Sequence, residues 1–275
     1  MNIKEILRET KEIDKEYHYF NVISEELAEE QAKSLLVEPK GKLNGYIISV
    51  KDCICVEDVE TRAGSKILSN YRPVFDATVI EKVKQQGGII IGKTAQDAFG
   101  FGSFSTNVGK DMKIPLNPFD KTRACGGSSG GAAGFTQKTS FKHIALGQST
   151  GGSIVAPASF CGVVGLCPTY GRVSRYGLID YANSLDKIGP IAKTVEEAAL
   201  MLSAIAGFDK NESTTLNRPV PDYDSFLDRS IKNKRIGIIK EGFGKGIDPE
   251  VKDIVERGIS KLELQGAEIE KISLP

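Results

Sequence analysis

Two glycine–serine strings, Gly126-Gly127-Ser128-Ser129-Gly130-Gly131 and Gly147-Gln148-Ser149-Thr150-Gly151-Gly152-Ser153, set the narrowest limits on how this chain can fold. A run of Gly and Ser by itself reads as a flexible linker. Here the flanks are apolar: Ala132-Ala133 and Ile144-Ala145-Leu146 lie between the strings, and Ile154-Val155-Ala156-Pro157-Ala158 follows at once. The strings therefore belong inside a core. Glycines there let backbone approach backbone and leave N–H groups free to face a reacting oxygen. A serine opening a helix after Thr150-Gly151-Gly152 would present its hydroxyl beside several unpaired amides.

A serine hydroxyl is a weak nucleophile until a base removes its proton. Only two histidines exist: His18, in a polar helix-like N-terminal segment, and His143, after a Lys/Thr/Ser stretch. A different base is expected. Lysine serves when burial disfavours its ammonium form. Most lysines of the chain read as solvated surface charges, but Lys51 ends the apolar run Tyr46–Val50, on the side of Ile47 and Ser49 by two-residue alternation.

The rest of the chain supplies strands and helices in turn. Residues 2–36 read as two helical segments, an N-terminal packing arm. Tyr46–Val50 and Ile89–Ile91 are of strand length, with a helix over about Ala77–Gln86 between them, capped by Asp76 and stopped by Gly87-Gly88. Thr194 and Glu197 form a capping box for a helix ending at Gly207. Pro219–Asp224 reads as a linker. Arg235–Ile239, a helix from Asp248-Pro249 to about Gln265, and Ile269–Leu274 repeat the alternation. The expected class is α/β, with a mixed, largely parallel sheet flanked by helices. Because the chain stops right after a strand, that fold is expected to be incomplete at its C-terminus.

Composition excludes several functions. The 36 basic residues balance 36 acidic ones over 275 residues, so no overall field draws the chain to nucleic-acid phosphates. No apolar run reaches the roughly 18 residues of a membrane span, and MNIKEILRET lacks a signal-peptide core, so no membrane partner and a cytoplasmic location are expected. Five cysteines are too few for a disulfide scaffold, and Cys53 and Cys55 have no second pair at metal spacing, so no metal site is expected. Gly87-Gly88-Ile89-Ile90-Ile91-Gly92-Lys93-Thr94 matches a phosphate-binding loop letter for letter. Three isoleucines at the loop positions make it a strand instead, although a nucleotide-binding module there is the alternative of another class.

The order and spacing of Ser49-Val50-Lys51-Asp52, Gly126–Gly131, Thr150-Gly151-Gly152-Ser153-Ile154 and Phe160-Cys161-Gly162-Val163-Val164-Gly165 resemble the amidase signature family. The resemblance covers about Gly41–Gly207 and, more thinly, the remainder. It implies one amidase-signature domain over residues 1–275: an arm over 1–40, the signature core over 41–207, and a further strand–helix–strand over 225–275. It also implies a Ser–Ser–Lys triad with Ser153 as nucleophile, Ser128 as bridging serine after a cis Gly127-Ser128 peptide, and Lys51 as base. Thr150, Gly151 and Gly152, with Ser153, would hold the oxyanion.

Within the family, Phe75–Val79, Gly92-Lys93-Thr94, Pro168–Gly177 and Ser184–Pro190 are most similar to the A subunits of tRNA-dependent amidotransferases. That similarity implies a glutaminase delivering ammonia to Glu-tRNA(Gln) or Asp-tRNA(Asn). It implies no cofactor in this chain, a tRNA-binding B subunit that uses ATP and Mg2+, a small C subunit, and tRNA contact only through the partner. A free-standing amidase for small amides is the alternative. The chain departs from the pattern at Ser149 (usually Asp), Val155 (usually Arg), Cys167 (usually Lys) and Thr106 (usually Glu), and family members are longer.

Overall fold

The β-branched runs Ile47–Lys51 (β2) and Ile89–Thr94 (β3) pair in parallel at the centre of a six-stranded sheet in the computed structural model, which describes residues 2–274. His143–Ser149 (β4) runs parallel to β2 on its other side. The outer pairings are antiparallel: Phe20–Ile23 (β1) on β3, Lys187–Ala192 (β6) on β4, and the two-residue Val164–Gly165 (β5) on β6. The order is β1-β3-β2-β4-β6-β5, a mixed sheet with a parallel centre.

Helices cover both faces, which is why the central strands are apolar on both sides. Ile48, Val50, Ile90, Ile144 and Leu146 face Thr78–Gln85 (α3) and Val195–Ile205 (α6). Ile47, Ile89, Ile91 and Ala145 share the other core with Ile3–Tyr17 (α1), Glu25–Val37 (α2), Gly130–Lys138 (α4) and Val155–Cys161 (α5). The N-terminal arm is thus two helices with a strand between them. Asn21 and its neighbours escape detection because β1 is a four-residue edge strand, half-buried throughout, with no apolar/polar alternation.

Capping is partly as the residue types dictate. Thr194 accepts from the Glu197 N–H at the start of α6, and Glu197 returns a bond to the Lys193 N–H. Asp76 does not cap α3, whose N-cap is Ala77. Its carboxylate instead accepts from the Glu57 N–H and from Lys84. Helix α4 is set by its glycines. A Cβ on Gly131 would lie 2.5 Å from the Tyr19 carbonyl oxygen and 2.7 Å from the Ala95 backbone, and one on Gly134 would lie 2.2 Å from the Tyr19 ring. That close approach seats the α4 N-terminus beside the end of β3.

The chain divides into two compact units between Asp224 and Ser225. In the second, Arg235–Ile239 (β7) and Glu268–Ile272 (β8) pair in parallel and are joined by Pro249–Leu264 (α7), with Asp248 accepting from the Glu250 N–H at its start. Among the described residues no helix is long and apolar enough to cross a membrane.

Candidate active site

Lys51 is the last residue of β2, and its side chain is fully buried. Because Val50 sits opposite Leu146 in the register, the next β4 residues, Gly147 and Gln148, flank the lysine. Its Nζ lies 2.7 Å from Ser128 Oγ, 2.9 Å from the Gln148 carbonyl oxygen and 2.9 Å from Gln148 Oε1. Burial lowers its pKa to about 8, against opposing pulls from Cys53, Asp97 and Asp186. A neutral amine near this pH has two hydrogens and one lone pair. Both Gln148 oxygens only accept, so they take the hydrogens, and the lone pair is left for the one partner that can donate, the Ser128 hydroxyl.

Ser128 follows a cis Gly127–Ser128 peptide and is fully buried just ahead of α4. The two glycine–serine strings meet beside it: the Ser129 N–H donates to the Ser153 carbonyl (3.3 Å), and Ser129 Oγ donates to the Gln148 carbonyl (3.2 Å). Ser153 stands half-exposed in the turn before α5. Its side chain makes no hydrogen bond among the described residues, so the Ser153–Ser128 link of the expected relay is not closed. The N–H groups of Gly151, Gly152 and Ser153 likewise have no protein acceptor among the described residues. A Cβ on Gly151 or Gly152 would meet nothing within 4 Å, which leaves that loop open on the side where a substrate would arrive.

Thr150 is occupied differently from its neighbours. Its hydroxyl donates to Asp186 Oδ1, and its carbonyl accepts from Lys187 Nζ. Asp186, fully buried ahead of β6, also accepts from Gln148 Nε2 (2.8 Å) and from the Tyr181 and Ala182 N–H groups (2.7 and 2.9 Å). Asp97, after β3, accepts from the Ser105 and Asn107 N–H groups. Ser105 in turn accepts from the Gly130 N–H at the start of α4. Sequence reasoning missed Gln148, Asp97 and Asp186. Gln148 carried a signal, since a long amide inside a glycine string needs buried partners.

Other candidates lie elsewhere. His143 begins β4, about 20 Å of extended strand from Ser149, and burial pushes its imidazole down to about 3. Its Nε2 lies 3.0 Å from Ser49 Oγ. The phosphate-loop match is a strand: Ile89–Thr94 is buried throughout as β3. Lys93 Nζ donates to the Ile54 carbonyl (2.6 Å) and to Thr61 Oγ1 (2.7 Å), and lies 3.9 Å from the Asp52 carboxylate. With its ammonium tied inside the fold and no free amides around it, Lys93 has no place for a phosphate. Where the family departures fall, Ser149 Oγ is buried without a partner, Val155 is exposed, and Cys167 is exposed. Among the described residues no cluster of three His, Cys, Asp or Glu could hold a metal ion.

The chain matches the family model for amidases over residues 2–275. It is 47% identical over 263 residues to the A subunit of glutamyl-tRNA(Gln) amidotransferase from Gloeothece citriformis, covering 94% of this chain and 54% of that protein. It superimposes on the corresponding protein of Thermotoga maritima with a TM-score of 0.90 at 37% identity, over 99% of this chain and 58% of that one. The peptide amidase of Stenotrophomonas maltophilia matches with a TM-score of 0.87 at 29% identity, again over 99% and 58%. The chain thus spans about half the length of the curated relatives it matches. With the family model matched over nearly its whole length, the chain belongs to the amidase family.

Proposed function

We propose that the chain is the glutamine-hydrolysing part of a tRNA-dependent amidotransferase, with Lys51, Ser128 and Ser153 as its catalytic triad. The observation that carries the reading is the buried amine of Lys51, 2.7 Å from Ser128 Oγ, at the junction where Ser129 joins Ser153. In the proposed reaction Lys51 takes the Ser128 proton as Ser128 takes that of Ser153, and Ser153 Oγ attacks the amide carbonyl. The free N–H groups of Gly151, Gly152 and Ser153 donate to the developing oxyanion, each such donor lowering the barrier by about 3–4 kcal/mol. The C–N bond breaks, the relay returns a proton to the nitrogen, and ammonia leaves an acyl-Ser153 that water then clears.

The name carried by the 37–48% identical relatives supports the partners: a tRNA-binding B subunit that uses ATP and Mg2+, and a small C subunit, working in the cytoplasm on Glu-tRNA(Gln) or Asp-tRNA(Asn). A free-standing amidase is the second reading. Two aromatic pairs favour it, Phe101–Tyr181 and Phe104–Phe160, with ring centroids 4.2 and 6.2 Å apart. Tyr181 lies by Gly100 and Ser128, and Phe160 lies by Gly126, so apolar rings flank the hydroxyls.

Ammonia release from glutamine, measured with the chain alone and with a copurified tRNA-binding partner, separates the readings. Glutamine turnover that rises with the partner, and is lost in Ser153→Ala and Ser128→Ala, is the expected result. Partner-independent cleavage of small apolar amides, with glutamine untouched, would favour the free amidase.

A further inference from the structure

We infer that Gln148, clamped by Asp186, is a positioning residue that aims the lone pair of Lys51 at Ser128 while keeping a carboxylate from touching the amine. The inference rests on Lys51 being the base.

Gln148 is nearly fully buried, and each of its side-chain atoms has a set partner. Nε2 donates to Asp186 Oδ1 (2.8 Å) and to Thr150 Oγ1 (3.0 Å), and Oε1 receives Lys51 Nζ (2.9 Å). The amide cannot be turned over. Reversed, it would press Oε1 against a carboxylate oxygen and point N–H groups at the lysine. Asp186 is itself anchored by the Tyr181 and Ala182 N–H groups and by the Thr150 hydroxyl, so the amide is gripped from behind.

The choice of an amide follows from charge. Gln148 passes the orientation set by Asp186 to Lys51 without passing on the negative charge. A carboxylate 2.9 Å from Nζ would hold the ammonium form, which has no lone pair to take a proton. The ionisable groups acting on Lys51 are Cys53 after β2, Asp97 after β3 and Asp186 before β6, and only neutral groups make direct hydrogen bonds to Nζ. Tyr181, whose N–H holds Asp186 and whose ring stacks on Phe101, links this clamp to the rim of the site.

The test uses the full chain and the variants Gln148→Glu, Gln148→Met and Lys51→Met. Lysine-selective 13C/15N NMR follows the titration of Lys51, identified by the resonance missing in Lys51→Met. In parallel, mass spectrometry follows the pH dependence of Ser153 labelling by a fluorophosphonate. Gln148→Glu is expected to raise both the Lys51 midpoint and the half-maximal labelling pH by about 1–3 pH units. Gln148→Met, of similar length but without the acceptor, should keep a low Lys51 midpoint and label about tenfold more slowly at its plateau. An unmoved midpoint in Gln148→Glu, or wild-type labelling by Gln148→Met, overturns the inference. If Lys51→Met labels like wild type, Lys51 is not the base and the underlying reading fails. If Lys51→Met is inert while both Gln148 variants match wild type, only the role of Gln148 fails.

Discussion

Replacing Lys51 by Met should remove a specific share of the pH dependence of folding. In the folded chain burial lowers the Lys51 pKa from the ordinary 10.5 to about 8. Between those values the unfolded chain carries the proton and the folded chain does not, so stability rises with pH across that window. Below pH 8 both states are protonated, and the folded state bears the whole cost of a buried ammonium, about 3 kcal/mol at 1.36 kcal/mol per pH unit. Between pH 7 and pH 10 about 2.5 kcal/mol of it is relieved.

The Met variant has no such proton, though it leaves Gln148 Oε1 and its carbonyl without the lysine donor. That loss does not titrate. It cancels when the stability difference between wild type and variant is compared at two pH values. Other buried groups shared by both proteins, such as Tyr19 and Lys93, cancel in the same way. Urea unfolding of both proteins at pH 7 and pH 10 gives the two differences. Their change should favour wild type by about 2–3 kcal/mol at the higher pH. A change below about 0.5 kcal/mol, or of opposite sign, would mean that Lys51 does not lose its proton early in the folded chain, and the neutral base would be gone.

Lys93→Met removes the cation beside buried Asp52 and the donor to the Ile54 carbonyl and Thr61. It should cost about 3–5 kcal/mol in urea unfolding, while ATP should leave the melting temperature of the wild-type chain unmoved. Gly131→Ala would force a Cβ to within 2.5 Å of the Tyr19 carbonyl oxygen. Stability should fall by about 1–3 kcal/mol, and labelling of Ser153 should slow with it, because α4 carries Ser128 at its entrance.

Much of this site was legible because it lies where local rules decide. Alternation along Ile47–Lys51 places Lys51 with Ile47 and Ser49 on one face, and the glycines with their apolar flanks place both serines in the core. The scarcity of His was informative too, since His143 is buried at the opposite end of β4 from Gln148 and Ser149. What could not be read depends on contacts far apart in sequence. The Gln148–Asp186 bond requires β6 to lie antiparallel on β4 with Gln148 beside Ile188, and β6 is disguised by Gly189 and Pro190, residues that argue against an interior strand. Pro190 is accommodated because its carbonyl still accepts from the Leu166 N–H. Asp76 looked like a helix cap, but a nearby lysine and the Glu57 N–H compete for the same carboxylate, and they win. Lys93 shows the limit from the other side: nothing local separates a lysine buried to hold a loop from one lying in solvent.

The most direct test is the site and pH dependence of covalent capture. The full chain is treated with a fluorophosphonate between pH 6 and pH 10, and the adduct is mapped by peptide mass spectrometry. The expected result is a single adduct on Ser153, appearing with a midpoint near the Lys51 value of about 8 and absent from Lys51→Met and Ser128→Ala. An adduct on another residue, or undiminished labelling of Ser153 once Lys51 is gone, would contradict the lysine-driven serine relay.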